Sequence, residues 1–316
     1  MAEVTLSIVI VTYNARDLID RCLAPIIVAA LPQVEVVVWD NASQDGTIEH
    51  VTRTYPGVRA IASPENLGFA KANNAAIATC SGELIVLLNP DAFIADLGDL
   101  IAMADYLGRH HEIAAVGPRL LNADDSHQVG DAGWRASLTS VIGHYLFLHR
   151  LFAGFPALYL TNPALLRRDA VDVDWICGAC LVTRRDVVDA VGGLDGDIFL
   201  YGEDVEWGER CRDRGFRLVY LPQYEVLHLQ GGTQRSESEV FFSTKALDAL
   251  AHQMIRTGSP RRFRLFRRVV QAGLLIRAAL YWLVGTLADR PRSLAKAAVM
   301  RRYADHARHL AWNVQN

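Results

Sequence analysis

Three short runs of aliphatic and β-branched residues, LSIVIVT (6–12), VEVVVW (34–39) and LIVLL (84–88), restrict the fold of this chain more than any other feature. Each is too short for a helix and apolar on both faces, so each reads as a strand buried on both sides. Helical stretches separate them: 15–30, closed by Pro32; one entered through the turn and cap residues SQDGT (43–47) and running to Tyr55; and one opening from the loop in ENLGFAKANNAAI (65–77). A strand at 58–62, a helix at 96–109 and a strand at 113–121 continue the alternation. From Trp175 the chain again reads as strand and amphipathic helix, then loop, helix and a strand at 217–222. This order predicts an α/β fold, a mostly parallel doubly wound sheet.

In such sheets ligands bind at the carboxyl ends of the strands. The polar residues of this chain fall at those ends: Thr12-Tyr13-Asn14, Asp40-Asn41, Asn66-Leu67-Gly68 and Asn89-Pro90-Asp91. No Walker lysine loop and no G-x-G-x-x-G follows the first strand, which removes the main support for P-loop and dinucleotide folds. Asp40 can accept a hydrogen bond from a base edge or a ribose, or simply cap the next turn. Asp91, restrained by Pro90, can serve a hard divalent cation shared with phosphates, or be a turn aspartate. His228 precedes Gly231-Gly232-Thr233 and is open to a ligand or a structural role. Glu203-Asp204 stands at a helix start, where a carboxylate can take a proton from a hydroxyl or serve as a dipole-favoured terminus.

The net charge of -3 conceals an asymmetry. From Arg261 onward the chain carries twelve Lys and Arg against only Asp289 and Asp305. Such a tail suggests an anionic partner, membrane or nucleic acid. PRRFRLFRR (260–268) leads into VVQAGLLIRAALYWLVGTLA (269–288), long enough to span a bilayer but with Arg277 in its middle. An interfacial amphipathic helix fits best; a soluble helical pair and a true span are the other readings. The five cysteines, an odd and scattered set, suggest a reducing compartment, with Cys177 and Cys180 a packed pair. No signal-peptide pattern opens the chain, so a cytoplasmic location is expected.

Taken together, SIVIVTYNA (7–15), VVVWDNASQDGT (36–47), ENLGFAKANNAAI (65–77), LLNPDAFI (87–94), the run from Trp175 to Pro222 and HLQGGT (228–233) resemble glycosyltransferase family 2, and the last half resembles its bacterial rhamnosyltransferase branch. The resemblance covers roughly residues 5–245. It implies a GT-A fold, inversion at the anomeric carbon, a Mg²⁺ or Mn²⁺ cofactor and a nucleoside-diphosphate sugar donor, dTDP- or UDP-linked, with dTDP-L-rhamnose favoured. By position, Thr12, Tyr13, Asn14, Asp40, Asn66, Gly68, Lys71 and Asn89 match nucleotide-binding residues. Asp91 matches a metal ligand, with His228 its second; Asp204 matches the catalytic base; Trp175, Glu203 and Trp207 line the acceptor side. Two positions depart from the family: Asn89 replaces the first Asp of the Asp-x-Asp motif, and Lys71 stands where many relatives have Arg, so it holds a phosphate without a bidentate fork.

The expected organisation is a transferase domain at 1–245, its nucleotide-binding half at 1–121 and its acceptor half at 122–245, followed by a basic helical extension at 246–316. Within it, 122–174 reads as a loop-rich acceptor-side insertion. The expected acceptor is lipid-linked or a polysaccharide, and the expected place is the cytoplasmic face of the cell membrane, without nucleic acid. Two rival readings are a sugar nucleotidyltransferase, which lacks its usual basic Gly-rich loop after the first strand, and a non-catalytic anionic-polymer binder, which leaves Asp91, Glu203-Asp204 and His228 without a purpose.

Overall fold

The computed structural model describes residues 5–29, 31–152, 154–229, 244–256 and 258–312. They fall into two compact units, residues 1–133 with 159–234, and residues 134–158 with 235–316. The segment 122–174 is therefore divided, its middle part grouping with the C-terminal helices.

The first unit is built on strands β1 (Leu6–Thr12), β2 (Val34–Asp40), β3 (Arg59–Ala62), β4 (Leu84–Leu88), β5 (Ala92–Ile94), β6 (Ile113–Leu121), β7 (Ala132–Gly133), β8 (Val171–Val173), β9 (Trp175–Ile176), β10 (Cys180–Arg184) and β11 (Arg217–His228). Among the described residues nine of these form one sheet in the order β3-β2-β1-β4-β10-β6-β11-β5, with β8 also on β11; β7 and β9 make a separate antiparallel ribbon. The run β3-β2-β1-β4 is parallel, as the alternating sequence requires, and so is β6 beside β11. Ile8, Val9 and Ile10 on β1 and Ile85 and Val86 on β4 have no exposed surface, which accounts for the aliphatic centres of these two runs.

β10 is the exception that shapes the site. It runs antiparallel to both β4 and β6, with Cys180 opposite Leu88. Its beginning, not its end, therefore lies where β4 exits, and the preceding residues 177–179 join the rim. β11 also departs from expectation. It continues past residue 222 to His228, because a register shift between Leu221 and Glu225 accommodates Pro222, which has no N–H to give. His228 is thus the last strand residue rather than part of a following loop. Gly231, Gly232 and Thr233 lie outside the described residues.

The second unit is helical: Leu138–Tyr145, Leu148–Leu151, Lys245–Arg256, Pro260–Leu287 and Pro291–His309. The two longest pack along each other, each opened by a proline in its first turn, where no N–H is needed.

Candidate active site

Asp40 ends β2 and is buried. Thr12, at the end of neighbouring β1, donates its hydroxyl to Asp40 Oδ1 (3.0 Å), and the Ser43 N–H donates to Oδ2 (2.9 Å). Asp40 therefore organises its own turn, yet each carboxylate oxygen keeps a further lone pair for a ligand. Asn14, at φ +51°, accepts from the Gln44 N–H through its side chain and donates its own N–H to Ser43. The loops after β1 and β2 are thereby joined, with Tyr13 exposed beside them.

Asn41 carries the third rim loop. Its amide donates to Asn66 Oδ1 (2.8 Å) and to the Gly68 carbonyl (3.2 Å), and accepts from the Leu67 N–H (2.9 Å). Gly68 opens the helix Gly68–Thr79 at φ +79°, and a Cβ there would lie 2.6 Å from the Phe199 carbonyl oxygen. Gly68→Ala is expected to cost about 1–3 kcal/mol, from the left-handed backbone and the displaced Phe199; an unchanged urea midpoint would contradict this. Lys71 is exposed one turn along the same helix, and Asn74 beyond it holds the Leu194 peptide from both sides, accepting from its N–H (2.9 Å) and donating to its carbonyl (2.7 Å).

After β4 the chain turns at once: Ala92 N–H donates to the Asn89 carbonyl (3.0 Å), and Asn89 N–H donates to the Ala179 carbonyl (2.9 Å). β5 then pairs with β11, placing Ala92 opposite His228. This pairing sets the Asp91 carboxylate 3.4 Å from His228 Nε2, both side chains nearly buried. Gln128 fixes the imidazole. Its amide donates to the His228 carbonyl (2.9 Å) and to Asn122 Oδ1 (3.1 Å), so its oxygen is the acceptor facing His228 Nδ1 (2.7 Å). Nδ1 thus carries a hydrogen, and in the neutral ring Nε2 presents a lone pair to Asp91. Two such acceptors face each other favourably only with a proton or a cation between them. The donor set, one carboxylate oxygen and one imidazole nitrogen, is of a chemistry that would suit a divalent cation. Among the described residues no third His, Cys, Asp or Glu completes a cluster with them.

Asp204 lies across the 177–179 loop. Gly178 N–H donates to its Oδ2 (3.2 Å) and Val205 N–H to its Oδ1 (2.8 Å). The same loop accepts from Asn89, so residues 177–179 link the turn bearing Asp91 to the helix Glu203–Asp213. Burial pushes the Asp204 pKa up, opposed by the N–H groups of Gly178, Val205 and Asp204 itself. Ahead of it Tyr201 (φ +69°) and Gly202 (φ +100°) adopt left-handed backbone, a strain that aims the first helical turn. Glu203, Trp175 and Trp207 are buried. Trp207 donates to the Gly192 carbonyl (2.9 Å) and shares a small apolar cavity with Asp204, Phe69 and Leu194, while Trp175 packs edge-on to Tyr159. Cys177 and Cys180 are both free thiols, held protonated by burial, with Cys180 pushed up to about 12.

Gln128 and Asn74 carry positioning contacts that the sequence did not single out, and Asn41, marked there only as part of a polar strand exit, holds the third rim loop. Asn41 and Asn74 stand inside motifs already noted, but Gln128 is a hundred residues from the histidine it holds.

The family model for glycosyl transferase family 2 matches residues 7–192. The chain belongs to glycosyltransferase family 2. It is 31% identical over 71% of its length, and 75% of the relative's, to an N-acetylglucosaminyl-diphospho-decaprenol L-rhamnosyltransferase of Mycobacterium tuberculosis. It is 26% identical over 75% of its length, and 86% of the relative's, to the rhamnosyltransferase WbbL of Escherichia coli. Among solved structures, a mannosyltransferase of Pyrobaculum calidifontis in complex with GDP-Man and Mn²⁺ superimposes with a TM-score of 0.57 over 97% of this chain and 86% of that one, at 19% identity. GalNAc-T7 with UDP, GalNAc and Mn²⁺ gives the same TM-score at 16% identity over 80% of this chain, which spans 48% of that longer one. These likenesses support the GT-A fold, and family membership decides for a glycosyltransferase over the nucleotidyltransferase and polymer-binding readings.

Proposed function

We propose that this family 2 enzyme transfers L-rhamnose from dTDP-L-rhamnose to a hydroxyl of a polyprenyl-diphosphate-linked sugar at the cytoplasmic face of the cell membrane, inverting the anomeric carbon. The observation that carries the reading is the 31% identity across most of both chains to a transferase named for that sugar and a decaprenol-linked acceptor. UDP-linked sugars are the competing donors.

In this reading Asp40, Thr12, Tyr13 and Asn14 receive the base and ribose, and Asn66, Gly68 and Lys71 close over base and diphosphate. Asn89 adds an uncharged contact. Asp91 and His228 would hold Mg²⁺ or Mn²⁺, and a cation bound there would supply positive charge beside the diphosphate leaving group. Asp204 takes the proton from the acceptor hydroxyl. The freed oxygen bonds to the anomeric carbon from the face opposite the diphosphate, whose C–O bond breaks and whose oxygen keeps the electron pair. Glu203, Trp175 and Trp207 form the acceptor side. Trp175 and Trp207 act through packing, as neither ring is open to solvent. Residues 1–121 form the nucleotide half, 122–245 supply the acceptor half, and the basic extension 246–316 faces the membrane.

Equilibrium binding and slow hydrolysis of a panel of nucleoside-diphosphate sugars, with and without Mn²⁺, test this reading. Mn²⁺-dependent preference for dTDP-L-rhamnose is expected; preference for a UDP-sugar would overturn the donor assignment. Gln128 has its own expected effect. Gln128→Leu removes the acceptor that orients His228 and should weaken Mn²⁺ binding by about 10–100-fold, read by the EPR signal of free Mn²⁺. Unchanged Mn²⁺ affinity would leave Gln128 a purely structural residue.

A further inference from the structure

The helix Pro260–Leu287 has two unlike sides. Phe263, Phe266, Val270, Leu274 and Ala278 are buried where it packs with Leu138–Tyr145, Lys245–Arg256 and Pro291–His309. Arg277, the one charged residue between 269 and 288, is drawn into the same side. Its guanidinium donates to the carbonyls of His144 (2.7 Å) and Tyr145 (2.7 Å) and lies 4.2 Å over the Phe147 ring. The opposite side is left without charge. There Leu275, Ile276, Leu280, Trp282, Leu283 and Leu287 are between 44% and 79% exposed. With the alanines among them they form a stripe about 24 Å long, from residue 272 to 287 at ~1.5 Å per residue.

Both ends of the stripe are basic. Exposed Arg261, Arg264 and Arg268 precede it, and past its end Arg290, Arg292 and Lys296 line one concave pocket with a single acid, Asp289, among them. We infer that this stripe is a docking face for an anionic lipid surface, with the helix lying in the plane of the interface and its basic ends on lipid phosphates. A second copy of this chain fits less well: laying the stripe on itself, in either direction, brings arginine-rich ends together. A span fits less well also. The helix is long and apolar enough to cross a bilayer, but its buried side is joined to Pro291–His309, whose Lys296, Arg301 and Arg308 would enter the hydrocarbon. Trp282, exposed on the stripe, is a residue type that favours the headgroup level. The inference deepens the assignment to the membrane face and is independent of the roles given to the catalytic residues.

Co-sedimentation of the full chain with phosphatidylcholine vesicles, with and without phosphatidylglycerol, tests it. Binding is expected to the anionic vesicles only, to weaken with added salt, and to be released by alkaline carbonate. Ile276→Glu with Leu283→Glu, and separately Arg290→Glu with Arg292→Glu, should each lower partitioning by at least about tenfold. All four residues are exposed, so solution hydrolysis of the donor should be unchanged and serves as the check on folding. Equal partitioning of both variants, resistance to carbonate, or a dimer dispersed by the Ile276→Glu and Leu283→Glu pair in place of lipid binding would each overturn the inference.

Discussion

Asp204→Asn is expected to leave donor binding intact and to lower sugar transfer by about 10²–10⁴-fold, the usual contribution of a positioned general base. The amide keeps the shape of the side chain and can still accept from Gly178 N–H, so the 177–179 loop retains its partner. What is lost is the capacity to take a proton. The pH profile carries a second signature. The base works only when ionised, and burial raises its pKa above the ordinary carboxylate range. The wild-type rate should therefore climb as pH rises through that raised pKa and level off above it, and this acid limb should vanish in the variant. Near-normal turnover, or an acid limb that persists, would remove Asp204 from the reaction.

The second large effect is expected at Asp91. In many family members two aspartates stand in this turn; here Asn89 brings no charge, so Asp91 is the sole carboxylate between residues 89 and 91. Asp91→Ala leaves His228 as the one partner of the pair. Donor binding should lose its dependence on Mn²⁺, and transfer should fall by about 10³-fold, some 4 kcal/mol of lost transition-state stabilisation. His228 remains held by Gln128 on its other nitrogen, so stability should change little by comparison. Metal-dependent donor binding that survives Asp91→Ala would move the cation elsewhere.

The parallel half of the sheet was legible in the sequence because a strand buried on both faces has a distinctive composition. LSIVIVT and LIVLL can hardly be anything else, and the polar residues that follow them had to fall on one rim. The reversal of β10 was not legible. CLVTR is buried along its whole length, and a strand buried on both faces has the same composition whichever way it runs, so its antiparallel pairing with β4 left no mark in its own residues. The extension of β11 was hidden for a similar reason: Pro222 reads locally as a stop, and only the register shift against β6 carries the strand on to His228.

The candidate site divides along the same line. Asp40, Asn66 and Asp91 could be marked because each follows a strand. The meeting of Asp91 with His228 depends on β5 pairing with β11, a contact between segments far apart in the chain, and the hold of Gln128 on His228 is just as non-local. The helical extension shows a partial reading of another kind. Its length and arginines were plain, and Arg277 spoke against a span; that its guanidinium lies among the carbonyls of residues 144 and 145, leaving the other side of the helix uncharged, depends on contacts with a distant segment.

The most direct measurement is transfer from dTDP-L-rhamnose to an N-acetylglucosaminyl-diphospho-polyprenol by the vesicle-bound full chain with Mn²⁺, the product identified by mass and its anomeric configuration by NMR. Expected is a lipid carrying one added deoxyhexose, of configuration opposite to the donor's, formed only with the divalent cation and not by Asp204→Asn. A retained configuration, or no transfer to the lipid-linked sugar by a chain that binds the donor, would contradict the proposed reaction.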